Sequence, residues 1–117
     1  MRLEIDSLRL GTGQNVREHW RAASRRKKRE KESVWAHLRS AFGLVPPNLP
    51  LTITVTRVGP RPLDNHDNLP ASCKYVVDEI ARWVAVDDRD PGYAWRYAQQ
   101  HGAWAVIIEI EEGARHA

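Results

Sequence analysis

Acidic residues on either side of a lysine are the side chains of this sequence best suited to chemistry. Asp64 and Asp67 stand in the stretch "RPLDNHDN", Lys74 follows in an apolar segment, and the acidic group "VDDRDP" comes after that segment. Carboxylate oxygens are hard ligands that suit Mg²⁺ or Mn²⁺, with water and substrate phosphate completing the coordination. A metal held in this way can activate water for attack on a phosphodiester, and an adjacent lysine can stabilise the added negative charge.

The spacing of these residues places one lysine and two acids on the same face of a predicted helix. Lys74 lies seven positions after Asp67, and Asp78 four positions after Lys74. At ~100° per residue the three fall within roughly 40° of one another, although Lys74 and Asp78 alone would be an ordinary surface ion pair. The later acidic group follows a helix of ~16 residues, which is ~24 Å long. It can join the same site if the segment "WVAVDD" runs back along the helix, or if a dimer brings the groups together.

The remaining residues of this region narrow the choice of metal and compartment. His66 is a further candidate ligand or base, although a single loop histidine is more often exposed to solvent. Zinc is disfavoured because the chain has no spaced set of histidine and cysteine, and the single Cys73 excludes an intrachain disulfide.

The N-terminus lacks the apolar stretch of a signal peptide, and no apolar run approaches ~20 residues. We therefore expect a cytoplasmic protein that does not span a membrane.

Positive charge is concentrated in one segment. Residues 16–40 contain nine Lys or Arg and three Glu, a local net charge of +6, whereas the whole chain carries +3 and the rest therefore −3. Within this segment, "RRKKREK" has six cations and one acid in seven positions. A solvated helix face would explain such a run, but its density favours a polyanion such as nucleic acid. The candidate DNA-binding cations are Arg17, Arg21, Arg25, Arg26, Lys27, Lys28, Arg29 and Lys31.

Hydrophobic periodicity predicts the elements that must position these residues. Their order, β-α-β-α-β-β, predicts one α+β (mixed α/β) domain over residues 1–117, with helices packed on a mainly antiparallel sheet. The last two strands, joined at His101-Gly102, are expected to form a hairpin. Lys27 and Lys31 fall on the apolar stripe of the first helix, where their stems can cover apolar surface. The predicted strands are 1–8, 51–58, 93–100 and 103–112, and the predicted helices are 16–42 and 69–84.

Residues 63–91, followed by "WRYAQ", resemble the RusA-type Holliday-junction resolvases, small endodeoxyribonucleases common in bacteriophages and prophages. The family's hallmark is Asp-x-Asp-Asn at the head of a helix, a lysine within that helix and an Asp-Asp pair after it. The resemblance extends over about residues 51–110. Asp67-Asn68 matches the second aspartate and its asparagine, Lys74 the lysine, and Asp87-Asp88 the pair. The position of the first aspartate is Asn65 here, and Asp64, one residue earlier, is the expected substitute.

The resemblance implies an intertwined homodimer that binds four-way DNA junctions and makes paired, symmetric, Mg²⁺-dependent nicks. Two DNA strands of like polarity must be cut at positions related by a two-fold axis, and a homodimer has this symmetry. Asn15 and Trp20 fall in the region expected to contact DNA. The implied catalytic residues are Asp64, Asp67, Lys74 and Asp88, and the three aspartates are the implied ligands of Mg²⁺ or Mn²⁺.

Two other functions remain open from the sequence. A non-catalytic nucleic-acid-binding module, such as a degenerate resolvase or a phage regulator, is favoured by asparagine at position 65. It predicts DNA binding that depends steeply on salt, without metal-dependent nicks. A phage assembly or adaptor protein, whose basic helix meets an acidic partner, predicts no preference for junctions over plain duplex.

Overall fold

The structure, a computed structural model, describes residues 1–10, 20–63 and 68–113. The predicted order of strands and helices is confirmed, except that the second helix is divided into two pieces. The first helix was predicted to begin near residue 16, which lies outside the described residues, and its predicted end at position 42 is confirmed. The elements are β1 (Arg2–Asp6), α1 (Trp20–Phe42), β2 (Leu51–Gly59), α2 (Asn68–Ser72), α3 (Lys74–Val84), β3 (Tyr93–His101) and β4 (Ala105–Glu112).

The described strands form one mixed sheet in the order β1-β4-β2-β3. β4 pairs antiparallel with both β1 and β2, whereas β2 and β3 are parallel. The predicted α+β class and mainly antiparallel sheet are therefore confirmed. The helices α2 and α3 form the crossover that a parallel pair of strands requires.

The predicted hairpin of the last two strands is wrong, because β2 lies between them. After β3 the chain crosses the end of β2, where the Gly102 N–H donates to the Gly59 carbonyl at 3.1 Å. It then enters β4, which pairs with the other side of β2. The polar Arg96, Gln99 and Gln100 suit β3 to the edge of the sheet, whereas the apolar β4 takes an interior position.

The hydrophobic core lies between one face of the sheet and the helices. Leu51, Ile53 and Val55 of β2 are fully buried there, as the alternation of this strand predicts. The helical stripe predicted for the second helix is also buried, and each such side chain contributes roughly 1.5–3 kcal/mol. No helix among the described residues is long and apolar enough to cross a membrane. The buried stripe consists of Leu69, Cys73, Val76, Val77, Ile80 and Val84.

The second helix is interrupted at Cys73. The Cys73 N–H is shared between the carbonyls of Leu69, at 3.3 Å, and Pro70, at 3.1 Å. Such a shared bond accompanies a tighter turn than that of an α-helix. The buried stripe from Leu69 to Val84 keeps helical spacing across this turn, whereas Asp67, predicted on the same face as Lys74, lies outside the described residues.

Candidate active site and nucleic-acid interface

Lys74 is the first residue of α3 and contacts two carboxylates. Its Nζ donates to Asp88 Oδ2 at 2.8 Å and lies 2.9 Å from Asp78 Oδ1. The hydrogen bond to Asp88, and then that to Asp78, raise the pKa of Lys74 above its usual value. Lys74 is therefore a firmly held cation, and the two carboxylates lie within two hydrogen-bond lengths of each other.

Asp88 reaches the start of α3 because the chain turns back at the end of this helix. Ala85 adopts the left-handed conformation, with φ 66°, and its N–H donates to the Arg82 carbonyl at 3.1 Å. The following N–H, that of Val86, donates to the Ala81 carbonyl at 3.2 Å. The segment after α3 thus runs back along the helix, which is one of the two routes by which the acidic groups could join one site.

Two aromatic residues of β3 hold this returning segment in place. The Tyr93 hydroxyl donates to the Val86 carbonyl at 3.0 Å, and Trp95 Nε1–H donates to the Asp88 carbonyl at 3.0 Å. The two rings stack with their centroids 4.9 Å apart. Burial, followed by the nearby aspartates, raises the pKa of Tyr93 to about 12, so its hydroxyl keeps its proton. The backbone of Asp88 is therefore fixed to the sheet while its carboxylate faces Lys74.

The neighbouring aspartates have structural partners in the turn. Asp87 is exposed, and its Oδ1 accepts the Arg89 N–H at 2.8 Å, which lowers the pKa of the carboxyl group. Asp90 Oδ1 accepts the Gly92 N–H at 2.8 Å. Among the acids of this described turn, Asp88 is therefore the one placed to act together with Lys74.

The predicted ligands Asp64 and Asp67, together with Asn65 and His66, lie outside the described residues. Within the described ranges there is no group of three or more metal-ligating side chains. The three-aspartate site thus stays a prediction. Asp88 and Asp78 nevertheless supply the hard oxygen donors that Mg²⁺ prefers, and such a site needs only one or two carboxylates beside water and phosphate.

The chain is anchored immediately before this loop. The Leu63 N–H donates to Gln99 Oε1 at 2.7 Å, and Gln99 Nε2 donates to the Leu63 carbonyl at 2.7 Å. Arg57 Nη1 donates to the Arg61 carbonyl at 2.8 Å. The strands β2 and β3 therefore fix the residue that directly precedes Asp64.

The basic helix forms one wall of a cleft of about 720 Å³ between α1 and α3. The ammonium groups of Lys27 and Lys31 lie 5.3 and 5.7 Å from the ring centroid of Tyr75 on α3. The prediction that both lysines fall on the packed stripe of the helix thus holds in part, because Lys31 is half-buried whereas Lys27 is exposed. Arg26 pairs with Glu30 at 3.3 Å. The exposed cations of this run are Arg25, Lys27, Lys28 and Arg29, whereas Asn15, Arg17 and the side chains of Trp20 and Arg21 lie outside the described part.

Arg82 connects this cleft to the acidic residues on the other side of α3. Its guanidinium lies 4.3 Å from the ring centroid of Trp35 and 3.2 Å from Glu79 Oε2. It lines both the basic cleft and a shallower one of about 410 Å³ that contains Asp78 and Asp88. Arg82 therefore lies at the boundary between the basic cleft and the shallower acidic one.

Several contributing residues were not singled out from the sequence. Tyr75 directly follows Lys74, and its ring could have been recognised as a partner for the basic helix. Arg57 breaks the apolar alternation of "LTITVTRV" at a core-facing position, which is a signal that sequence reasoning missed. The contact of Gln99 with Leu63 depends on the strand order and had no local signal.

Compared with models of known protein families the chain gives no match, and a search of curated proteins finds none either. The fold and the site together define the class of protein as an α+β domain in which a lysine paired with carboxylates lies beside a basic cleft.

Proposed function

We propose that the protein is a metal-dependent endonuclease that cuts branched DNA, in the manner of the four-way-junction resolvases whose motif it resembles. The observation that carries this proposal is the contact of Lys74 with Asp88, since it joins residues from opposite ends of α3. The loop that carries Asp64 and Asp67 leads directly into α2 and then to Lys74.

Each residue has a distinct role in this proposal. A bound Mg²⁺ supplies a polarised water and neutralises charge on the phosphodiester. Asp88 would hold the metal together with Asp64 and Asp67. Lys74, oriented by Asp78, would face the phosphate oxygens and stabilise the negative charge that grows during attack.

DNA binding is assigned to the cleft between α1 and α3 and to the exposed cations of α1. Phosphate contacts from such cations are independent of sequence and weaken with salt. A homodimer acting in the cytoplasm completes the proposal, because two like strands of a junction must be cut across a two-fold axis. It would also bring two basic helices to one junction.

The test is cleavage of a synthetic four-way junction with a fixed crossover, with Mg²⁺ or with a chelator, followed by mapping of the nicks. We expect paired, symmetric nicks that require the metal. Asp67→Asn and Asp88→Asn should abolish cutting while junction binding persists. Asp87→Asn is the matched control, because the neighbouring carboxylate is exposed and bonds within the turn. Cutting by Asp88→Asn at the rate of the control would refute the site.

A non-catalytic DNA-binding module is the second candidate. It is favoured by the basic cleft, whose contacts do not involve Asp88, and by asparagine at position 65. This candidate predicts salt-dependent binding and no nicks with any metal. An adaptor that binds an acidic protein through the same cleft would show no preference for junctions over duplex.

A further inference from the structure

Arg57 is a buried cation that the proposed reaction does not use. It lies near the end of β2 with only 2% of its surface exposed. Its Nε is buried without a hydrogen-bond partner, and no carboxylate pairs with it among the described residues. A buried charge without a counter-ion is costly. The surroundings of Arg57 therefore call for an anion.

The guanidinium of Arg57 is held in one position by its neighbours. Its Nη1 donates to the Arg61 carbonyl at 2.8 Å, and its central carbon lies 5.1 Å from the ring centroid of Trp104. Arg9 lies 4.8 Å from the same ring. A Cβ at Gly59 would approach Trp104 to 2.8 Å and Arg57 Nη1 to 3.2 Å, so a side chain there would displace the tryptophan.

The nearby thiol does not supply the missing negative charge. Burial raises the pKa of Cys73 to about 11, so this group is neutral near pH 7. Among the described residues, the other charged group that acts on Arg57 is Arg9, which is itself a cation. The local electrostatic field thus favours an anion from outside the described chain.

A pocket of about 200 Å³ opens beside Arg57, between the ends of β2 and β3. This volume holds several water molecules of ~30 Å³ each, and hence one phosphate group. None of its described lining residues is acidic. Arg57 and Arg61 are both among its lining residues, and guanidinium groups suit phosphate geometry. The lining residues are Arg57, Gly59, Arg61, Pro62, Gln99, Gln100 and His101.

We propose that this pocket binds a phosphate group through Arg57 and Arg61. The source can be free phosphate or a backbone phosphate of DNA. The proposal that DNA is the source rests on the proposed function. Arg61 lies three residues before Asp64, so a DNA strand held at Arg61 would pass the predicted metal site. Phosphate binding itself does not depend on any nuclease activity.

The first arm of the test uses inorganic phosphate alone. Calorimetric titration at constant ionic strength should show binding to the wild-type chain, and thermal unfolding should shift upward with phosphate concentration. Arg61→Gln should weaken the affinity at least tenfold. Arg96→Gln is the matched control, since this exposed arginine of β3 is not part of the pocket lining. Equal affinity in both variants, or no binding by the wild type, would overturn the proposal.

Arg57→Met keeps the test decisive if Arg61 contributes weakly. Arg57→Met removes the buried charge together with its bond to the Arg61 carbonyl, so the comparison is of each variant with and without phosphate, and Arg57→Met should gain no stability from its addition. A gain equal to that of wild type would contradict the assignment.

The second arm distinguishes the two sources of phosphate. If DNA is the source, Arg61→Gln should weaken junction binding several-fold more than Arg96→Gln. Free phosphate should then displace the junction more strongly than chloride does at equal ionic strength. If the two variants bind the junction equally, free phosphate is the ligand. Phosphate binding without nicks would refute the proposed function alone, whereas nicks without phosphate binding would refute the pocket alone.

Discussion

The ammonium of Lys74 lies 2.8 Å from Oδ2 of Asp88, although the two residues are separated by fourteen positions and by the whole of α3. This contact exists because the chain reverses at Ala85 and is then fixed to β3 through the carbonyls of Val86 and Asp88. It brings an acid from beyond the helix to the residue that begins it.

Replacing Lys74 with methionine should separate metal binding from cutting. The ammonium lies between Asp78 and Asp88, where it repels a divalent cation, so Lys74→Met should bind Mn²⁺ more tightly than wild type. Junction cleavage should fall by roughly 10²-fold or more, because the transition-state charge loses its stabilising cation. The free energy of unfolding should change by less than about 1 kcal/mol, since the lysine is largely exposed. Titration by electron paramagnetic resonance and single-turnover cleavage measure the two effects, and cutting at the wild-type rate would contradict the role of Lys74.

Two tryptophans allow a matched comparison of the segment that carries Asp88. Trp95→Phe removes the bond to the Asp88 carbonyl, and Trp83→Phe removes a similar bond, of 3.1 Å, to the Gly43 carbonyl. Each variant should lose roughly 1 kcal/mol of stability in denaturant unfolding through the lost hydrogen bond, and Trp83→Phe should lose more because its smaller ring leaves space in the core. Only Trp95→Phe should also weaken Mn²⁺ binding and slow cutting, because only its partner belongs to the site. Equal effects of both variants on metal affinity would show that Trp95 acts through general stability.

The anchor of the acidic loop can be tested at Gln99. Gln99→Glu removes the donor to the Leu63 carbonyl and faces that oxygen with a carboxylate, which should cost about 1–3 kcal/mol. We expect weaker Mn²⁺ binding and slower cutting, since Asp64 directly follows Leu63. Gln100→Glu introduces the same charge at an exposed neighbouring position and serves as the control. Cleavage by Gln99→Glu equal to that of Gln100→Glu would show that the anchor does not position the site.

Tyr93 makes stability depend on pH in the alkaline range. Its folded pKa of about 12 exceeds the ordinary value of 10.0 because of burial and nearby aspartates. A raised pKa contributes stability that is complete below pH 10 and is lost as pH rises toward 12, because the unfolded chain releases the proton first. Wild type should thus be more stable than Tyr93→Phe below pH 10, and this difference should shrink between pH 10 and 12. Denaturant unfolding across this range measures it, and a constant difference would contradict the assigned cause.

Local patterns predicted the elements well, and the helical stripe from Leu69 to Val84 matches the buried side chains of the structure. In β2 the predicted core face is buried, but Thr52 and Thr56 of the opposite face are buried too. Strand order was harder, because it depends on the pairing of distant segments. Both β3 and β4 read as strands, but no local feature revealed that β2 separates them.

The residue types of the candidate site were predictable from the sequence, but the arrangement of their side chains in space was less so. Lys74 and Asp78 are linked by helical spacing, which sequence shows directly. The approach of Asp88 depends on the left-handed turn at Ala85 and on bonds from Tyr93 and Trp95, which arise only in the folded chain. The burial of Arg57 likewise requires the approach of Trp104 over Gly59.

The most direct measurement of the central claim is the anomalous scattering of Mn²⁺ soaked into crystals of the protein. We expect a peak about 2 Å from a carboxylate oxygen of Asp88, with Asp67 and either Asp64 or the side chain of Asn65 as further ligands. Lys74 should then lie beside the metal rather than between the carboxylates. No peak near Asp88 at saturating Mn²⁺, with the bond from Lys74 to Asp88 unchanged, would contradict the account.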